Sequence, residues 1–206
     1  MSIRLYYHPY SRAAGTLWPL EEAGVPYELE VVDIMKGKQK GPELVARNPM
    51  GKIPTLVDGD LVVTEGAAIA LYLADRYAPA RLAPALDDPK RGTYLRWSFF
   101  APGVIEPAVM AHMSKWEVRE VSAGWGNYAS MIAAAESAIS DKLYVLGDEF
   151  SMADVVLGGT LRFMMEFKQI EAVPVFQAYI DRLNERPAYQ RANARNMAMR
   201  RELGLQ

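Results

Sequence analysis

Two stretches of the chain combine residue types in a way that could hold a ligand. In Asn48-Pro49-Met50-Gly51-Lys52-Ile53-Pro54-Thr55-Leu56, a proline opens a strand-like run. The residue before a proline is pushed away from helical geometry, and a proline at a strand start leaves the main chain of Ile53 available to an outside partner. Such an edge can dock a peptide. A second run, Leu61-Val62-Val63-Thr64, leads into Glu65-Gly66, where strand gives way to helix. The unpaired N–H groups of a helix start favour a carboxylate. An anionic, peptide-like ligand fits both features.

The elements that must position these residues follow from hydrophobic patterning. Ile3-Arg4-Leu5-Tyr6-Tyr7 reads as a strand leading into a helix that ends near Ala23-Gly24, and Tyr27 to Val32 alternates as a half-buried strand does. A Lys/Gly-rich loop follows, with a short helix at Glu43 to Ala46. Two strands then flank the turn Asp58-Gly59-Asp60, and a helix from Gly66 to Tyr77 carries Ile69, Leu73 and Tyr77 at helical spacing. The predicted order is β-α-β-α-β-β-α over residues 1–78. Residues 79–88, rich in Pro, Ala and Asp, read as a linker, and residues 89–206 as an all-helical domain. Asp88-Pro89 predicts a helix start, and Pro102 and Pro107 should break or kink that helix. Further helices are expected over 128–142, 175–185 and 188–200. Ser151-Met152-Ala153-Asp154 resembles a capping box ahead of an apolar run. Pro19 inside the first helix has no functional explanation at this level.

Composition narrows the chemistry. The chain has 206 residues, no cysteine and a formal net charge of −2 with both signs mixed along it. That balance offers no electrostatic footprint for nucleic acid or an anionic membrane. Lack of cysteine excludes disulfides, thiolate metal sites and covalent chemistry through a protein thiol. His8 and His112 are the two histidines and stand in no ligand-spaced cluster, so no metal is expected and His8 reads as a surface or loop residue. The N-terminus reads as a strand rather than a signal peptide, and no run reaches the ~18 apolar residues of a membrane span. A cytoplasmic protein is the expectation.

Taken in order, the motifs resemble those of the cytosolic glutathione S-transferase family, in its bacterial, serine-type, theta- or beta-like form. Asn48 to Leu56 is similar to that family's cis-proline segment, and Thr64-Glu65-Gly66-Ala67-Ala68-Ile69-Ala70-Leu71-Tyr72-Leu73 to its γ-glutamyl-binding helix start. Leu146-Gly147-Asp148-Glu149-Phe150-Ser151-Met152-Ala153-Asp154 resembles its N-capping box and hydrophobic staple, and Arg186-Pro187-Ala188-Tyr189-Gln190-Arg191-Ala192 is also typical. The resemblance implies an α/β thioredoxin-like N-terminal domain, an all-α C-terminal domain and a homodimer. It implies that Lys52 contacts the glycyl carboxylate of glutathione and that Ile53, before Pro54, pairs with the cysteinyl part. Glu65 and Gly66 would hold the γ-glutamyl end, with Gln39 a further glycyl contact. One departure is Gly66, where the family usually has a serine whose hydroxyl binds the carboxylate. That loss predicts weakened glutathione binding.

The chemistry implied is ionisation of the glutathione thiol, because the thiolate is the nucleophile. A hydroxyl donor near sulfur stabilises the anion without surrendering its own proton, so serine or tyrosine can serve. Tyr7-His8-Pro9-Tyr10-Ser11-Arg12 supplies three hydroxyls. Ser11 takes the position of the first cysteine of thioredoxin-like redox sites and is the leading candidate, with Tyr7 the alternative and Tyr10 a third. Ser11 could equally be only an N-cap, and Tyr7 only a core aromatic. The resemblance implies a hydrophobic electrophile, bound between the domains, and hydroperoxide reduction as a second activity. Phe99, Phe100, Met110, Met113 and Trp116 are read as core rather than pocket. A non-catalytic ligand-binding or interaction module on the same fold is the competing function, and Gly66 is the residue that favours it.

Overall fold

The computed structural model describes residues 2–205. Ile3–Tyr7 (β1), Tyr27–Val31 (β2), Thr55–Asp58 (β3) and Leu61–Thr64 (β4) form one mixed sheet in the order β2-β1-β3-β4. β1 runs parallel to β2, whereas β3 is antiparallel to both β1 and β4. With Leu17–Ala23 (α1), Pro42–Arg47 (α2) and Gly66–Tyr77 (α3), the order is the thioredoxin-like β-α-β-α-β-β-α predicted from patterning. The β3–β4 hairpin closes through Gly59-Asp60, with Gly59 at φ 60°. A two-residue hairpin turn needs that positive φ.

Strand parity decides which side chains enter the main core. Ile3, Leu5 and Tyr7 project from one face of β1, and all three are buried. Leu17, Leu20, Leu56, Ile69 and Leu73 are buried as well, so α1 and α3 contribute the apolar side chains of this layer. Tyr6 projects the other way, into a smaller cluster with Val32 and Leu44, against which Ile34, Ile53 and Val57 pack. Pro19, unexplained in the sequence, occupies the third position of α1. The segment before it, Arg12–Thr16, is a 3-10 turn. A proline there falls in the first turn of the α-helix, where N–H groups lack intrahelical acceptors anyway.

By packing, the chain forms two units. One runs through Ala78 and resumes at Arg186, and the other spans Pro79–Glu185. The C-terminal helix Pro187–Glu202 (α9) therefore belongs with the sheet, against α1, although the sequence reading grouped it with the helices of 89–206. Glu22 of α1, buried, accepts from Arg186 Nε at 2.6 Å and Nη2 at 2.9 Å, and from Trp18 Nε1 at 3.0 Å. Glu21 accepts from Arg191 Nε at 2.7 Å and from the Tyr27 hydroxyl at 2.8 Å. Trp18 meets Tyr189 edge to face.

The second unit contains Arg91–Phe100 (α4), Glu106–Met113 (α5), Tyr128–Ile139 (α6), Met152–Glu166 (α7) and Pro174–Asn184 (α8). The Asp88-Pro89 start is displaced: α4 opens at Arg91, and Asp88 instead closes the preceding turn by accepting from Lys90 N–H at 2.7 Å. The expected break at Pro102 is a π turn, Ala101–Ile105, which accommodates the missing N–H, and Pro107 falls in the first turn of α5. Ahead of α7, Asp154 Oδ2 accepts from Ser151 N–H at 2.8 Å, the reciprocal bond of a capping box. Its other oxygen accepts from Val145 N–H and the Tyr179 hydroxyl, each at 2.8 Å. Phe99, Met110, Met113 and Trp116 are exposed and Phe100 is half-buried, contrary to the core assignment.

Candidate functional site

Sheet register brings the sequence-distant candidate residues to one end of the sheet. Tyr6 of β1 lies opposite Thr55, the first residue of β3, and Thr55 lies opposite Thr64, the last residue of β4. The loop after Tyr7, the turn before Thr55 and the helix start after Thr64 therefore leave the sheet at the same end. Tyr7 also pairs with Val31, the last residue of β2, so the segment holding Gln39 departs from that end too.

The turn before β3 is held by residues the sequence reading did not assign. The Ile53–Pro54 peptide is cis. Asn48, buried, donates through Nδ2 to the Lys52 carbonyl at 3.0 Å, and the Thr55 hydroxyl donates to the same carbonyl at 3.1 Å. Asn48 Oδ1 accepts from Met50 N–H. The Ile53 main chain has no backbone partner among the described residues. Lys40 Nζ donates to the Met50 carbonyl at 2.8 Å, tying the Gln39 loop to this turn. Gly51 has φ 53°, and a Cβ there would lie 2.8 Å from Lys40 Cδ and 3.0 Å from the Gln39 carbonyl oxygen. Gln39 Oε1 is buried and lacks a hydrogen-bond partner among the described residues. An unsatisfied buried acceptor is rare enough in proteins to count as a ligand signal.

At the other edge of the site α3 opens at Gly66 with Glu65 as its N-cap. Glu65 is exposed and has φ 65° and ψ 118°. A non-glycine residue with positive φ stores strain, of a kind that clusters at ligand contacts. No atom lies within 4 Å of where a Gly66 Cβ would be.

The three hydroxyls of the Tyr7 to Arg12 loop have different environments. Tyr7 is fully buried, and its hydroxyl donates to Asn196 Oδ1 of α9. Burial pushes its pKa up to about 12, against the opposing pull of Arg200 and Arg195. Ser11 caps the 3-10 turn: its Oγ accepts from Ala13 N–H at 3.1 Å and donates to the His8 carbonyl at 2.7 Å. Tyr10 has a half-exposed ring with the Arg200 guanidinium 4.7 Å from its centroid. His8, read as a surface or loop residue, lies in the loop after β1 but is buried, and its Nδ1 accepts from Tyr10 N–H at 3.2 Å. Burial lowers its pKa below the usual imidazole value. The Pro9-Tyr10 turn folds back over the ring, which strand-loop patterning could not foresee. Among the described residues no three His, Asp or Glu side chains group as they would to hold a metal ion. Among the described residues no helix is long and apolar enough to cross a membrane.

The N-terminal domain model of glutathione S-transferases matches residues 1–75, and the C-terminal domain model of the same enzymes matches residues 118–182. The chain belongs to the glutathione S-transferase family. Glutathione S-transferase Z1 of Arabidopsis thaliana is 30% identical over 82% of this chain and 80% of its own length. Glutathione S-transferase GstA of Escherichia coli O157:H7 is 27% identical over 92% of this chain and 96% of its own. Among solved structures, the theta class glutathione S-transferase of Xanthomonas axonopodis pv. citri, with glutathione bound, superposes with a TM-score of 0.72 at 32% identity. It covers 93% of this chain and 96% of its own. Within this family member, the turn ending at cis-Pro54 and the start of α3 are the two features that patterning located. Asn48 and Thr55, which hold that turn, were missed because a polar residue in a turn or at a strand start carries no signal until its partner is known.

Proposed function

We propose that the protein binds glutathione, stabilises its thiolate through the Ser11 hydroxyl and transfers it to a hydrophobic electrophile, working as a homodimer. Lys52 would receive the glycyl carboxylate with the Nε2 amide of Gln39, whose buried Oε1 would accept from an N–H of the ligand. The Ile53 main chain would pair with the cysteinyl amide beside Pro54, and Glu65 with the Gly66 N–H would take the γ-glutamyl end. The observation that carries this reading is the convergence of the Ser11 loop, the cis-Pro54 turn and the Glu65-Gly66 helix start at one end of the sheet.

Hydrogen bonding around Ser11 supports the catalytic role. A serine hydroxyl has one proton to donate and two lone pairs. Its lone pair serves Ala13 N–H, while its proton goes to the His8 carbonyl. That carbonyl also accepts from Ser11 N–H at 3.1 Å, so it stays bonded if the hydroxyl turns away. Ser11 can therefore cap its turn and donate to a sulfur at once. The Tyr7 proton is committed to Asn196 in the interior, which favours Ser11 as the donor. The thiolate would then attack the electrophilic carbon, forming a C–S bond as the leaving group or π-electron pair departs. The same thiolate attacking a peroxide oxygen, with the O–O bond breaking and the alcohol leaving, would make hydroperoxide reduction a side activity, a second glutathione then displacing water from the sulfenic acid to give the disulfide.

The test is an ultraviolet difference titration with glutathione across pH, following the thiolate band. We expect a bound thiol ionising well below that of free glutathione, with the shift lost in Ser11→Ala and kept in Tyr7→Phe. Loss of the shift in Tyr7→Phe alone would reverse the assignment. A second reading, a non-catalytic binding module, is favoured by Gly66. Saturable binding without any lowering of the thiol pKa would select it.

A further inference from the structure

Arg186, the residue before α9, and Arg191, Arg195 and Arg200 within the helix have surroundings that fall into two groups. Arg186 and Arg191 are neutralised by Glu22 and Glu21 of α1. Arg195 and Arg200 instead lie over tyrosine rings, Tyr27 and Tyr10, at 5.9 and 4.7 Å from the centroids. Neither has a carboxylate partner among the described residues, and the field of both acts on Tyr7. Arg200 is the more informative. Its Nε–H is buried with no acceptor among the described residues. Tyr10, which holds its guanidinium, is the residue next to Ser11.

A guanidinium is a fixed fork of donors, and its Nε–H together with one Nη–H matches the two oxygens of a carboxylate. Buried donors in folded proteins almost always find an acceptor, so a guanidinium with an unmet N–H, held over the ring of the residue that precedes Ser11, points to a ligand oxygen. The Tyr10 ring, 4.7 Å from the guanidinium carbon, restrains the fork by a cation–π contact, which lowers the cost of ordering it. We infer that Arg200 is a specificity residue of this site, receiving the carboxylate of an acidic electrophile whose reactive carbon is thereby aimed at the sulfur activated by Ser11. This rests on the glutathione reading above. It extends that reading by giving the second substrate a chemical class: an apolar electrophile bearing an acidic group.

The experiment compares two S-alkyl glutathione conjugates of equal chain length, one ending in a methyl group and one in a carboxylate, by calorimetric titration of the full-length protein. The expected result is that wild type binds the carboxylate conjugate about tenfold more tightly than Arg200→Gln does. The methyl conjugate and glutathione itself should bind both proteins equally. Arg200→Lys should recover only part of the difference, because it keeps the charge and loses the fork. Turnover of a neutral and a carboxylate-bearing electrophile should divide in the same way, with kcat/KM for the acidic substrate alone falling in Arg200→Gln. Equal loss for both conjugates, or for glutathione, would overturn the inference and make Arg200 part of the glutathione site or of the fold. Equal binding in wild type and variant would also overturn it while leaving the transferase reading intact. Failure of every glutathione compound to bind wild type would overturn both.

Discussion

Gly66 stands at the first position of α3 with open space where a side chain would project. Its φ does not require glycine, so Gly66→Ser should fold without strain and add a hydroxyl donor at the helix start. Isothermal titration calorimetry should show glutathione affinity rising by about tenfold, the value of one charge-assisted hydrogen bond partly shared with water. No change would mean that the ligand's carboxylate lies elsewhere. At His8 a pH dependence follows from burial. The folded imidazole titrates below the ordinary 6.5, so the unfolded chain binds the proton first as pH falls. Its contribution to stability is intact above about pH 6.5 and is lost progressively below it, until the folded form is protonated as well. The urea midpoint of wild type should fall between about pH 7.5 and 5.5, and His8→Asn should flatten that slope.

The elements around the site depend on a few positions with no alternative residue. In the turn before β3, Gly51→Ala combines a positive φ with contact against Lys40 and the Gln39 carbonyl. It should cost about 1–3 kcal/mol and weaken glutathione binding by shifting the Gln39 loop, measurable by denaturation and calorimetry on the same sample. In the helical unit, a Cβ on Gly158 of α7 would sit 2.2 Å from Leu183 Cδ1 of α8. Gly158→Ala should therefore destabilise by about 1–3 kcal/mol, since the fully buried Leu183 side chain must shift within a packed core. Asp154→Ala removes the acceptor for Ser151 N–H, Val145 N–H and the Tyr179 hydroxyl together. A loss of about 3–5 kcal/mol is expected, read as a drop in the melting temperature. A fall under about 1 kcal/mol would show that the helix start does not depend on this carboxylate.

For the whole molecule, the grouping of α9 with the sheet has a mechanical consequence. A chain cut after Glu185 should lose cooperative unfolding of the first unit, because Trp18 would lose Tyr189, Glu22 would keep a buried charge without Arg186, and Tyr7 would keep a buried hydroxyl without Asn196. Circular dichroism melts of the truncated and full chains would check this. The order of strands and helices in residues 1–78, the proline turn and the start of α3 were legible in the sequence because each is written locally. Period-two alternation, a proline after Ile53 and a strand ending at Thr64 need no distant partner to be read. The same holds for the capping residues before α7 and the break at Pro102. The burial of His8, the exposure of Phe99 and Trp116, the anchoring of Lys52 by Asn48 and Thr55, and the placement of α9 against α1 are decided by partners far along the chain. The Glu22–Arg186 pair spans 164 positions. Periodicity tells a helix which face to bury, and only the folded chain determines what that face meets, because burial depends on surfaces that local sequence does not encode.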